Sequence, residues 1–230
     1  MKKLLFAIVV VAMTLSCSSW SAAQKTGAVP AQTPTKSLDD QFLEAAQSGD
    51  AAALSQLLDK GAAIDAVSSK GNFTALIAAC AMKRVEVVRL LLQKGAKTEI
   101  KDSKGDTALH YAVMVSSAEE VKLLLAKKAN LDAREESGLT PLMLSIVSGS
   151  EEIVNLLLDH GANTELKDKN GFTVLMAASG GGLVDLIELL IDKGAKVDAK
   201  SNDGTTALML AMKNNKTEAV QLLRDHGAVQ

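Results

Sequence analysis

Aromatic residues make up 3% of the 230 positions, with a single Trp and a single Tyr. Stacking platforms for single-stranded nucleic acid need several aromatics, so that mode of binding is not expected. No charge of one sign dominates: 25 Lys and Arg stand against 27 Asp and Glu, interspersed, for a formal net charge of −2. Without clustered bases to displace counterions from phosphates, nucleic acid is not an expected partner. Cysteine is limited to Cys17 and Cys80, and histidine to His110, His160 and His226. These do not cluster with metal-ligand spacing, so neither metal nor cofactor is expected. No serine or cysteine is accompanied by a recognisable base, and no enzyme is expected.

The first residues read apart from the rest. Lys2 and Lys3 form a short positive region, and 4–15 is an apolar run of 12 residues. That run is too short for a stable membrane span, and the mature chain offers no integral one. Ser21, Ala22 and Ala23 place small residues at a cleavage site. Residues 1–23 therefore read as a secretory signal peptide cut after Ala23. The mature product would be periplasmic or secreted. Lipid anchoring through Cys17 is less favoured, because Thr14 and Leu15 reverse the usual order of an aliphatic and then a small residue. Cleavage removes Lys2, Lys3 and Cys17 and takes the formal net charge from −2 to −4. The remaining Cys80 has no partner for an internal disulfide. Residues 24–37 hold two of the three prolines and almost nothing large and apolar, and read as a disordered linker.

From there a threonine recurs every 33 residues, at Thr74, Thr107, Thr140, Thr173 and Thr206. Leucine-rich triplets keep the same register at 90–92, 123–125, 156–158, 189–191 and 222–224, where Arg224 replaces the last leucine. A fixed period of this size means stacked supersecondary units, each touching only its neighbours. In the unit 138–170, Thr140 and Pro141 open a short inner helix, the hydroxyl as cap and the proline where no N–H is missed. Gly149 ends that helix. Glu151 to Leu158 forms a second helix, with Glu151 and Glu152 at its positive end and His160 at its negative end. Gly161 then supplies a left-handed residue. Elsewhere the pairs Asp39, Asp40 and Glu119, Glu120 also fall at helix starts, where the dipole accounts for them.

Thr140-Pro141-Leu142, Gly149, Glu152-Ile153-Val154, Leu156-Leu157-Leu158 and Gly161-Ala162-Asn163 together resemble the ankyrin repeat family. The resemblance covers residues 38–230. It implies an all-α repeat solenoid of six ankyrin-type helix–turn–helix units with short β-hairpin turns. The units run about 38–70, 71–104, 105–137, 138–170, 171–203 and 204–230, the link from the first to the second carrying one extra residue. The family usually has histidine after Thr-Pro-Leu, where the ring ties neighbouring turns. Here only His110 fits, the equivalents being Ile77, Met143, Met176 and Met209. Lys128 stands where the neighbouring units have Gly161 and Gly194, and a left-handed lysine there costs about 1 kcal/mol. Cys80 falls in an alanine position of an inner helix and reads as a small buried hydrophobe, with Lys83 and Arg84 near enough to keep a reactive thiol open.

The resemblance also implies a partner-binding concave face made of hairpin tips and inner helices. On it fall Phe73, Met82, Asp106, Met114, Val115, Leu139, Val147, Phe172, Gly180 and Gly181. An apolar stripe of this kind marks an interaction site, unless its members pack beneath the hairpins as core. The expected function is a non-enzymatic module exported to the bacterial envelope that binds a protein partner, such as an envelope enzyme or a toxin. The alternative is a small-molecule-binding or enzyme-accessory protein that uses a hollow at Gly180, Gly181 and Gly182. Those glycines lack the Lys-Ser/Thr of a phosphate loop.

Overall fold

The computed structural model describes residues 36–229. The expected signal peptide, Cys17 and the expected linker through residue 35 lie outside the described residues, as does Gln230. Among the described residues twelve helices pair into six units: α1 (Leu38–Ser48) with α2 (Ala51–Asp59), α3 (Ala75–Ala81) with α4 (Val85–Gln93), and α5 (Ala108–Met114) with α6 (Ala118–Ala126). They continue as α7 (Pro141–Ser148) with α8 (Glu151–Asp159), α9 (Val174–Gly181) with α10 (Val184–Asp192), and α11 (Ala207–Lys213) with α12 (Thr217–Asp225). Inner helices pack on inner helices from each unit to the next, and outer on outer from α2 through α8 and again from α10 to α12. This is the all-α solenoid that the 33-residue period predicts.

The recurrent threonines fix where inner helices begin. The hydroxyls of Thr74, Thr140, Thr173 and Thr206 accept from the N–H groups of Ile77, Met143, Met176 and Met209 at 3.2–3.4 Å. Such a cap contributes about 1 kcal/mol. The core runs through the leucines two residues later and through the middle of each outer-helix triplet. Leu76, Leu109, Leu142, Leu175, Leu91, Leu124, Leu157, Leu190 and Leu223 are all essentially without solvent contact. Each contributes about 1.5–3 kcal/mol by leaving water. Arg224, which breaks the last triplet, is exposed.

The turns between units are tight hairpins, each closed by two backbone bonds, such as Asp102 N to Asp106 O at 2.9 Å with Gly105 N to Asp102 O at 3.1 Å, and Asp168 N to Phe172 O at 3.0 Å with Gly171 N to Asp168 O at 3.0 Å. Among the described residues the sole β-bridge is Val67 with Thr74. Turn tips then join along the stack through Ser103 N to Gly71 O, Glu136 N to Lys104 O, Lys169 N to Ser137 O and Asn202 N to Asn170 O, at 2.8–3.0 Å. The approach is close enough that a Cβ at Gly171 would lie 2.5 Å from the Asn202 nitrogen. The extra residue of the first link is absorbed in its turn, where Ser68 N reaches Phe73 O and Asn72 takes φ 57.

A second ladder was not anticipated from the sequence. Asp65, Glu99, Asp132, Glu165 and Asp198 accept from the backbone N–H of Lys97, Asn130, Asn163, Lys196 and Val229, each one unit on, at 2.9–3.0 Å. Lys128 does adopt the left-handed conformation, at φ 59, and its N–H bonds Leu125 O as Gly161 N bonds Leu158 O. His160 and His226 cap their helices by contacts of Nδ1 with Leu156 O and Leu222 O at 2.8 and 2.9 Å.

Candidate partner-binding face

The capped threonines set the preceding residue of each hairpin in one row: Phe73, Asp106, Leu139, Phe172 and Thr205. Acids early in the hairpins hold three of their N–H groups. Asp102 Oδ1 accepts from Asp106 N, Glu135 Oε1 from Leu139 N and Asp168 Oδ1 from Phe172 N, at 2.8–2.9 Å. Phe73, Leu139 and Phe172 are half-buried and rest against the core, as does Met114 on the inner helix. Val115 is also half-buried. Met82 and Val147, at the far ends of α3 and α7, are 45% and 65% exposed. The row therefore shows part of each apolar side chain while anchoring the rest.

Asp106 departs from the expected exposure, at 7%. No side-chain hydrogen bond reaches its carboxylate, and burial, reinforced by the charges of Asp102 and Glu135, pushes it up to about 7, with Lys104 offsetting part. The hollow expected at the glycines is partly filled. Asn214 of the next unit donates Nδ2 to Gly180 O at 2.9 Å and would lie 3.4 Å from a Cβ there, while Gly181 is exposed. A shallow depression of about 480 Å³ lies elsewhere, lined by Leu92, Lys97, Ile100 and Lys127 among others. Residues one helical turn before the exposed ends belong to the same face and were missed. Tyr111, Leu144, Ala177 and Leu210 share a column four residues past the threonine, a signal present in the register. Leu144 and Leu210 are half-buried and Ala177 is exposed. Tyr111 is buried and donates to Asp102 Oδ2 at 2.8 Å, and burial and that bond push its phenol up.

His110 is the tie between turns that its position implied. Its Nδ1 accepts from Thr107 N at 3.1 Å, and its Nε2 faces Leu139 O of the next unit at 3.4 Å. Nε2 then carries the proton, and burial lowers the pKa of the ring. Cys80 is fully buried, and burial pushes its thiol well up, aided by the charge of Glu120. That is the small buried hydrophobe, not a reactive nucleophile. No group of three or more His, Cys, Asp or Glu that could hold a metal occurs among the described residues. Along the hairpin edge Lys101, Arg134 and Lys167 each donate to the backbone carbonyl one unit on, which spreads the bases singly.

The family model for ankyrin repeats in three copies matches residues 42–102, 95–168 and 161–230. The chain belongs to the ankyrin repeat family. Ankyrin repeats are protein–protein interaction modules and are generally non-enzymatic. Similar solved structures include the ankyrin repeat domain of Bcl-3, described as a unique member of the IkappaB protein family. It is 29% identical with a TM-score of 0.75, covering 82% of this chain and 86% of that one. The ankyrin repeat protein EF0377 is 28% identical with a TM-score of 0.73, covering 81% and 97%. No curated protein matches the sequence significantly. Among the described residues no helix is long and apolar enough to cross a membrane.

Proposed function

We propose that this ankyrin chain is an exported, non-enzymatic module that holds one protein partner in the bacterial envelope. The observation that carries the binding face is the half-exposed row of Phe73, Leu139 and Phe172, continued by Met114, Met82 and Val147 on the inner helices. Partly anchored apolar side chains lose little freedom when a partner covers them, and central apolar anchors dominate interface energies. Flexible methionines add an adaptable contact. The export half of the proposal rests on Lys2, Lys3, the apolar run and Ser21-Ala22-Ala23.

Two measurements test the reading. N-terminal sequencing of the protein from envelope fractions should begin at Gln24; an intact Met1 or a lipid-modified Cys17 overturns it. Cross-linking in the envelope fraction of the producing cells should join wild-type protein to one partner. The Leu139→Ser, Phe172→Ser double variant should lose that product while keeping a cooperative melt. Retention of the product by a folded double variant refutes the proposed face.

A further inference from the structure

The third residue of the outer helices α4, α6, α8, α10 and α12 forms a column at 33-residue spacing: Val87, Glu120, Ile153, the half-buried Leu186, and Ala219. Val87 and Ile153 have no solvent contact, and Ala219 has 1%. Glu120 is likewise 0% exposed, and neither of its carboxylate oxygens has a hydrogen-bond partner. The sequence placed it at a helix start, as an acid facing the dipole. The structure instead turns Glu119 outward, to Arg89 of α4 at 2.7 Å, and Glu120 inward. An ionised carboxylate in such a place has given up its hydration with nothing in exchange, which is strongly unfavourable.

The surroundings of Glu120 offer little relief. From the second unit, the fully buried Cys80 thiol of α3 and Lys83 in the α3–α4 turn lie within electrostatic reach of it. Neither Lys83 nor the nearby Ser117 hydroxyl meets a carboxylate oxygen in hydrogen-bond geometry. On α4, Arg89 is engaged by Glu119 and Glu86. On α8, Glu152 is engaged by Lys122. On α5, His110 and Tyr111 are committed to the hairpin, to Leu139 O and Asp102. α6, which carries Glu120, packs against α4, α5 and α8.

We propose that Glu120 makes the joint between the second and third units proton-controlled, closed while the carboxyl is protonated and prone to part once it ionises. Solenoid units hold only to their neighbours, so α1–α4 would move away from the other four units as one block. Burial raises the Glu120 pKa from 4.5 to about 7, and Ser117 and Lys83 offset only part of the rise. In the parted state the carboxyl ionises near its ordinary value. The joint is therefore tightest below about pH 4.5, loosens as pH rises toward 7, and changes no further above that. The full span corresponds to a weakening of at most roughly 300-fold.

Cys80 lies in this joint and reports its opening. The full chain is alkylated with iodoacetamide at pH 5 and pH 8, Cys80 is resolved from Cys17 by mass spectrometry, and each rate is divided by that of an unstructured cysteine peptide at the same pH. Wild-type protection of Cys80 should fall on the order of 100-fold between the two. Glu120→Val, which repeats the side chain at Val87, should hold its protection nearly constant. Asp106→Asn should keep the wild-type slope, which separates Glu120 from the other raised carboxyl. Wild-type protection that stays flat, or a Val variant that slopes like wild type, overturns the proposal. Should Glu120→Val fold poorly, native-state hydrogen exchange of the unmodified protein decides it. Amides of α4 and α6 should lose protection with rising pH while those of α10 do not, and equal loss in all three overturns it.

Discussion

Replacing Lys128 with glycine should stabilise the protein. Lys128 sits at φ 59, the conformation that Gly161 and Gly194 take at the same place in the next two units, at φ 87 and 90. Its Cβ crowds the backbone there at a cost of about 1–2 kcal/mol. Glycine removes that cost but widens the unfolded ensemble, which returns about 0.4–1 kcal/mol. The side chain is exposed and engages no hydrogen bond or ion pair among the described residues, so nothing else is lost. The net gain is about 0.5–1 kcal/mol, or a few degrees in Tm for a protein of this size. Urea titration of wild type and variant reads it as a higher midpoint at unchanged slope. Two controls isolate the cause. Lys128→Ala removes the same charge and keeps the strain, so its midpoint should stay near that of wild type. Lys127→Gly, one residue earlier at φ −93, adds unfolded-state freedom without relieving strain and should destabilise by about 0.4–1 kcal/mol. A Lys128→Gly midpoint at or below wild type, or an equal gain from Lys128→Ala, refutes the argument.

Two further outcomes follow from the hairpin edge. His110→Met repeats the residue at Met143 and Met176 but leaves Leu139 O and Thr107 N without the ring. It should cost about 1–3 kcal/mol in the same titration, and a neutral result would mean water or repacking replaces both bonds. The lowered His110 pKa acts with the opposite sign to the raised carboxyls: its contribution falls as pH drops below about 6.5, where the unfolded ring takes a proton and the folded one does not. His110→Met should therefore be less costly at pH 5 than at pH 8. Asp106→Leu, which repeats Leu139, should stabilise by about 1–2 kcal/mol at pH 8 and by less at pH 5, where the native carboxyl is already protonated. Each tenfold change in the acidity constant corresponds to about 1.4 kcal/mol before the site relaxes. An equal effect at both values would show that Asp106 is not held protonated by the fold.

Helix order, caps and core leucines were legible because burial repeats with the chain. A buried column appears as the same residue type every 33 positions, as Thr74 and Leu76 show. What repetition hides is the lone exception. Glu120 interrupts an apolar column and Asp106 a row that is apolar but for Thr205, yet by type both read as solvated charges, and Glu120 lies beside an acid that is solvated. Comparison down the column, from Val87 to Ile153, was the available signal. The ladder of Asp65, Glu99, Asp132, Glu165 and Asp198 was hidden for another reason: its donors are backbone N–H groups, which leave no mark in the sequence. Asn214 beside Gly180 is a neighbour supplied by the next unit, and no pattern within one unit announces it.

That acidic ladder has a consequence for how such a chain changes length. Each rung asks its neighbour only for a peptide N–H, a group that every non-proline residue owns. A unit carrying the acid at one end and the loop at the other is thus grammatical next to any copy of itself. Excision of residues 138–170 would bring Asp132 to the N–H of Lys196 in place of Asn163, with the count of intervening residues preserved. Duplication would extend the series by the same rule. The His110 tie obeys the same rule, since it too asks the next unit only for a backbone group, the Leu139 carbonyl. The joint that resists such editing is the one that buries Glu120, whose carboxylate finds no partner there, so that length along this chain is least free to drift between its second and third units.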